Sequence, residues 1–146
     1  MASDRKIFAL TGNLGYGGFD RIIEDFPDRY IDCGAAEQAM VDIAVGMALS
    51  GKKPVIYSIT PFLLYRPFES VRNYLSREKI PVILIGSGRD RDYDTLGFGH
   101  WAEEDAKIMS VLPNIDCYWP NEKEELNGLL NKMIKSKKAS YLNLTR

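Results

Sequence analysis

Residues Pro81-Val82-Ile83-Leu84-Ile85 form an almost unbroken apolar run. A strand with one face in water alternates apolar and polar side chains; a run without alternation suits a strand covered on both faces. Such strands belong to parallel sheets held between helices. The rest of the chain keeps to that constraint. Strand-like runs at residues 6–10, 30–33, 54–58, 81–85, 116–119 and 141–144 are separated by helical spacing at 19–26, 36–50, 66–78, 103–111 and 121–136. Strands alternating with helices predict an α/β fold, doubly wound, with a mainly parallel sheet and helices on both faces. At 146 residues, with no repeat or linker, a single domain over 1–146 is expected.

Composition narrows the function. The chain is 45% apolar, enough to build a core, and its net charge of -1 comes without a run of like charges. Nothing recommends nucleic acid or an anionic membrane as a partner. Residues 1–6 lack a long apolar region, so no secretory signal is expected. No apolar stretch approaches the ~20 residues of a membrane span, and a cytoplasmic protein follows by default. Cys33 and Cys117 lie far apart, without metal-ligand spacing, and read as buried free thiols.

Four features could carry chemistry. In Tyr30-Ile31-Asp32-Cys33-Gly34-Ala35-Ala36-Glu37-Gln38-Ala39-Met40 a short strand meets Gly34 and hands over to a helix with apolar residues at Ala36, Met40, Ile43, Ala44, Met47 and Ala48. Glu37 sits in its first turn, where a carboxylate complements the helix dipole and where open α/β sheets bind ligands. The glycine-rich stretch from Gly12 to Gly18 could cradle a phosphate, but it matches neither the dinucleotide fingerprint nor a P-loop, and a plain turn is the simpler reading. Phe62, Tyr65 and Phe68 have helical spacing, which favours core packing; Pro61 and Pro67 interrupt any simple helix and leave a loop-borne aromatic wall open. His100, the only histidine, follows Leu96-Gly97-Phe98-Gly99 on a loop beyond a strand end, where catalytic groups concentrate. Alone, it does not make a zinc site.

Together these pieces resemble the pyrimidine-binding domain of transketolase-like, thiamine diphosphate-dependent enzymes. The resemblance runs from Phe26-Pro27-Asp28-Arg29-Tyr30 through Glu37 to Lys53-Pro54, resumes at Pro61 to Asn73, and continues through Gly97-Phe98-Gly99-His100 and Leu112-Pro113-Asn114-Ile115. Several motifs in register are more specific than any one of them. The resemblance implies that Glu37 hydrogen-bonds N1′ of the cofactor's aminopyrimidine and so activates the cofactor. To donate that bond Glu37 must carry a proton, which burial against apolar neighbours favours. It implies that Phe62 stacks on the ring, that Tyr65 and Phe68 complete the pocket wall, and that His100 hydrogen-bonds substrate or moves a proton.

The departures also count. Leu96 stands where full-length relatives have an aspartate, and Gly88 where they have a histidine; the loop from Gly88 to Asp94 is rebuilt and charged. The donor therefore stays open between a sugar phosphate and a 2-oxo acid. No Gly-Asp-Gly occurs here, the family's mark for binding the diphosphate through Mg2+. The resemblance thus implies a split transketolase: a larger partner chain carries Mg2+ and the diphosphate site, in a heterotetramer with two copies of each chain. Two alternatives stand beside it. One is a non-catalytic regulatory or scaffold protein on the same domain; the other is a nucleotide-binding flavodoxin-like domain, which rests on fold analogy alone.

Overall fold

The computed structural model describes residues 1–146. Six strands form one sheet: β1 (Ile7–Thr11), β2 (Tyr30–Asp32), β3 (Lys53–Ile59), β4 (Ile83–Ser87), β5 (Ile115–Tyr118) and β6 (Ala139–Leu144). Their order is β2-β1-β3-β4-β6-β5, and every pair is parallel rather than mainly so. Six helices connect them: α1 (Asp20–Asp25), α2 (Glu37–Leu49), α3 (Thr60–Leu64), α4 (Phe68–Ser70), α5 (Asp105–Ser110) and α6 (Leu126–Lys135).

Register decides which side chains share a face. Ile31, Leu10, Ile56, Leu84, Tyr141 and Cys117 stand side by side in one row across the sheet. That row packs against Met40, Val41 and Ala44 of α2, Leu63 and Leu64 of α3, and Met109 of α5, forming the main core. Residues one position along point the other way. There Ile83 and Leu142 pack with Met133 of α6. α1 reaches this second face through Phe19 and Ile22, which line an apolar cleft with Val55, Tyr57, Leu130 and Ile134. Helices on both faces follow from right-handed crossovers: going out to β2 and coming back to β3 places α1 and α2 on opposite sides.

Three local expectations are corrected. The strand expected at 81–85 begins at Ile83, where pairing with Val55 starts, and runs on to Ser87. A helix forms at Thr60–Leu64 where a loop was expected; Pro61 lies in its first turn, where a missing N–H costs nothing. The single helix expected over 66–78 is a short α4 followed by a wider π-helical turn, Val71–Arg77, closed by the Glu78 N–H on the Asn73 carbonyl at 3.0 Å. Local periodicity cannot distinguish the two, because Val71 and Leu75 are buried in either winding.

Cys33 and Cys117 are free and half-buried, not fully buried as expected. Burial, helped by Asp116 and Asp105, pushes the Cys117 thiol from 9.0 up to about 12. The fold therefore favours the neutral thiol. That contribution is fully present below the unfolded value of 9.0 and is lost as pH rises through about 12. Denaturant unfolding between pH 8 and 11 should show stability falling with pH, and Cys117→Ala should flatten the fall. An unchanged slope in the variant would contradict this assignment.

Candidate functional site

β1 leads out to β2 on one side, and the chain returns to β3 on the other, so their C-terminal ends part at a topological switch point. In open α/β sheets such a crevice is where ligands bind. Gly12 follows β1 there, Thr60 follows β3, and α2 begins beside them with Glu37.

The turn before α2 explains Glu37's position. Gly34 has φ +66, a backbone conformation that favours glycine. Asp32 Oδ1 accepts hydrogen bonds from the N–H groups of Gly34, at 2.9 Å, and Asn13, at 2.8 Å. One carboxylate thereby ties the glycine-rich turn after β1 to the entry of α2. Two amides of this region are committed within the protein, as a plain turn requires. A Cβ at Gly12 would lie 3.2 Å from the Gly34 carbonyl oxygen and 3.5 Å from Glu37 Oε1. The bare glycine thus leaves Glu37 room beside β1.

Glu37 is only 3% exposed. Its Oε2 accepts a hydrogen bond from Arg66 Nη1 at 2.7 Å in a charge-paired contact. Arg66 follows α3, and its guanidinium carbon lies 3.8 Å from the centroid of the Phe62 ring. His100 meets Phe62 edge-on with ring centroids 5.0 Å apart. Its Nδ1 is buried and has no hydrogen-bond partner. Glu37, Phe62 and His100, separate in sequence, are thus joined by one chain of contacts through Arg66. Arg66 was not anticipated from the sequence. Its only local signal is a cation on an aromatic-rich stretch, and its partner lies 29 residues away.

Tyr65 and Phe68 are placed differently. The Tyr65 hydroxyl donates to Glu104 Oε2 at 3.1 Å, and burial together with this bond pushes its ionisation well above the usual tyrosine range. Tyr65, Pro61, Phe98 and Trp101 line a small pocket of about 170 Å3 beside the site. Phe68 is half-buried against the main core, and Ser70 on the same short helix donates to Asp42 of α2 at 2.6 Å. α4 therefore braces α2.

The rebuilt loop is held by its own charges. Arg89 donates to the Pro120 carbonyl at 2.8 Å and the Asn143 carbonyl at 2.9 Å, while Arg91 pairs with Glu103 at 2.8 Å. A Cβ at Gly88 would collide with the ring of Tyr93, whose hydroxyl lies 2.9 Å from Ser87 Oγ. Tyr93 fills the space that a side chain at position 88 would need. No three of the chain's carboxylates, cysteines and histidine come together in a way that could hold a metal ion.

Fold and site together define a doubly wound, all-parallel α/β domain with a buried acid and an aromatic ring at the switch-point edge of its sheet. The family described as "Transketolase, pyrimidine binding domain" matches residues 1–146, and the chain belongs to that family. The chain is 31% identical over 122 residues to an apulose-4-phosphate transketolase subunit of Actinobacillus succinogenes, covering 84% of this chain and 39% of that protein. It is 32% identical to 1-deoxy-D-xylulose-5-phosphate synthase of Dehalococcoides mccartyi, covering all of this chain and 22% of the relative. A solved split-gene transketolase, in an inactive β4 tetramer, superposes with a TM-score of 0.86 at 26% identity over 99% of this chain and 47% of that one. The chain spans less than half the length of these relatives.

Proposed function

We propose that residues 1–146 are the pyrimidine-binding domain of a two-component transketolase-like enzyme that transfers a two-carbon ketol or acyl unit. The single observation carrying this reading is that one flat group, the Arg66 guanidinium, touches both buried Glu37 and the face of Phe62 at the switch point. A flat, N–H-bearing cation already satisfies both groups there, so the residues fit an aminopyrimidine ring. Thiamine diphosphate, when bound, supplies the carbanion chemistry that no side chain here can. Glu37 holds and moves the proton at ring N1′. Phe62 positions the ring, Tyr65 and Phe68 support the wall beside it, and His100 offers its ring to a substrate hydroxyl. The substrate class is a sugar phosphate or 2-oxo acid.

A larger subunit supplies the diphosphate site and its Mg2+, two copies of each chain making a heterotetramer in the cytoplasm. No helix is long and apolar enough to cross a membrane. α2 supports the need for a partner. Met40, Val41, Ala44 and Val45 face the core, yet Ile43 and Leu49 on its outer side are 43% and 72% exposed. Large apolar side chains exposed on a helix whose other face is already buried suit a surface that another chain covers. Ile43→Glu should leave the lone chain folded and abolish its association with the larger subunit in sedimentation. Unimpaired association would remove α2 from the interface.

Calorimetric titration with thiamine diphosphate and Mg2+ tests the whole reading. Tight binding is expected only with a chain carrying the diphosphate-binding domain. Substrate turnover by this chain alone would overturn the two-component reading. A complex that assembles but neither binds cofactor nor turns over substrate would favour a scaffold.

A further inference from the structure

Arg66 is a charged side chain in contact with both Glu37 and Phe62 that the proposed chemistry does not use. Its guanidinium is flat and cationic, lies 3.8 Å from the Phe62 centroid, and directs Nη1 to Glu37 Oε2 at 2.7 Å. These two contacts, an aromatic face and a buried carboxylate, are the ones assigned above to the aminopyrimidine ring. We propose that Arg66 is a placeholder: it occupies the ring's position in the unliganded chain and must swing out for cofactor to bind. This inference rests on the reading of Glu37 and Phe62 given above.

First, both occupants require the same surfaces. The guanidinium lies over the Phe62 ring while its Nη1 reaches Glu37. Second, the exposures are unequal: the Glu37 side chain is 2% exposed and that of Arg66 46%. The carboxylate is the fixed member; the arginine reaches in from solvent and can leave along the path it entered. Third, arginine only donates hydrogen bonds. While it is in place Glu37 can only accept at Oε2, whereas the proposed role requires Glu37 to share a proton with the ring.

The benefit to the lone chain is equally direct. A buried carboxylate without a partner is costly, and Arg66 supplies one until the cofactor arrives. The consequence is competition. Ligand affinity is reduced by the fraction of chains in which Arg66 is docked, so removing the arginine raises it. For a half-exposed ion pair stacked on an aromatic ring, the expected gain is about 3- to 10-fold.

The test uses thiamine, which lacks the diphosphate and so needs no metal-binding partner. It is titrated into the full chain by ligand-observed NMR for wild type, Arg66→Ala and Arg66→Gln, with circular dichroism confirming that each is folded. Arg66→Gln keeps a polar side chain and covers the case in which Arg66→Ala fails to fold. Phe62→Ala is the control for site-specific binding and should bind weakly. Tighter binding by the Arg66 variants supports the placeholder. Equal or weaker binding overturns it and leaves the pyrimidine-site reading intact. Absence of binding in every folded variant and in wild type overturns that reading and the placeholder with it.

Discussion

Glu37→Gln is expected to lower activity of the proposed two-chain enzyme by roughly 10²- to 10⁴-fold, the usual range for losing a positioned proton-transfer group. The substitution is nearly isosteric. Its amide oxygen can still accept from Arg66, and its NH2 can still donate toward the site. What it cannot do is take up and return a proton. The ion pair it removes is half-exposed on the Arg66 side, so its contribution to stability should be no more than about 1 kcal/mol. The unfolding midpoint should therefore stay close to that of wild type while steady-state turnover collapses. If the variant complex kept its rate, Glu37 would be no more than a helix-dipole complement, and the chemistry would lie elsewhere.

The largest effect on folding is expected at Asp105. This carboxylate is 4% exposed and accepts three hydrogen bonds through Oδ2: from Trp119 Nε1 at 2.8 Å, the Tyr141 hydroxyl at 2.8 Å and Asn143 Nδ2 at 2.6 Å. It joins α5 to β6 and to the end of β5 at the edge of the main core. Asp105→Ala leaves buried donors without their acceptor, each costing about 1–3 kcal/mol. Asn143 Nδ2 keeps acceptors in Thr60 Oγ1 and the Tyr141 hydroxyl; the Trp119 and Tyr141 donors then set a total loss of about 2–6 kcal/mol, from a domain expected to have about 5–15 kcal/mol in all. Asp105→Asn should cost less, because its amide oxygen still accepts. Urea unfolding measures both; a loss below about 1 kcal/mol for the alanine variant would show that the network contributes little. Burial and Asp105 together also push the Tyr141 hydroxyl far above its usual range, keeping it a donor.

Part of the site was legible in the chain. Gly34 and the small residues around it announce a sharp strand-to-helix turn, and Glu37 follows at the helix start because the turn places it there. The aromatic stretch and His100 were visible as residue types. Their contact was not: Phe62 meets His100 because α3 and the loop beyond β4 lie beside one another in space. Arg66 remained unread because its partner is set by tertiary approach. The Asp105 network is a similar case, since Asn143 and Asp105 are 38 residues apart.

The amino-acid sequence by itself determined the alternation of strands and helices and the burial of both sheet faces. Those follow from periodicity and side-chain size, which act over a few neighbouring residues. Tertiary structure alone decided that the sheet is parallel throughout, where helix gives way to a π-turn, and that an arginine links Glu37 to Phe62. The reason is that strand order brings distant segments to one edge. Which donor reaches which buried acceptor is then settled by distances across that edge, and no local pattern encodes them.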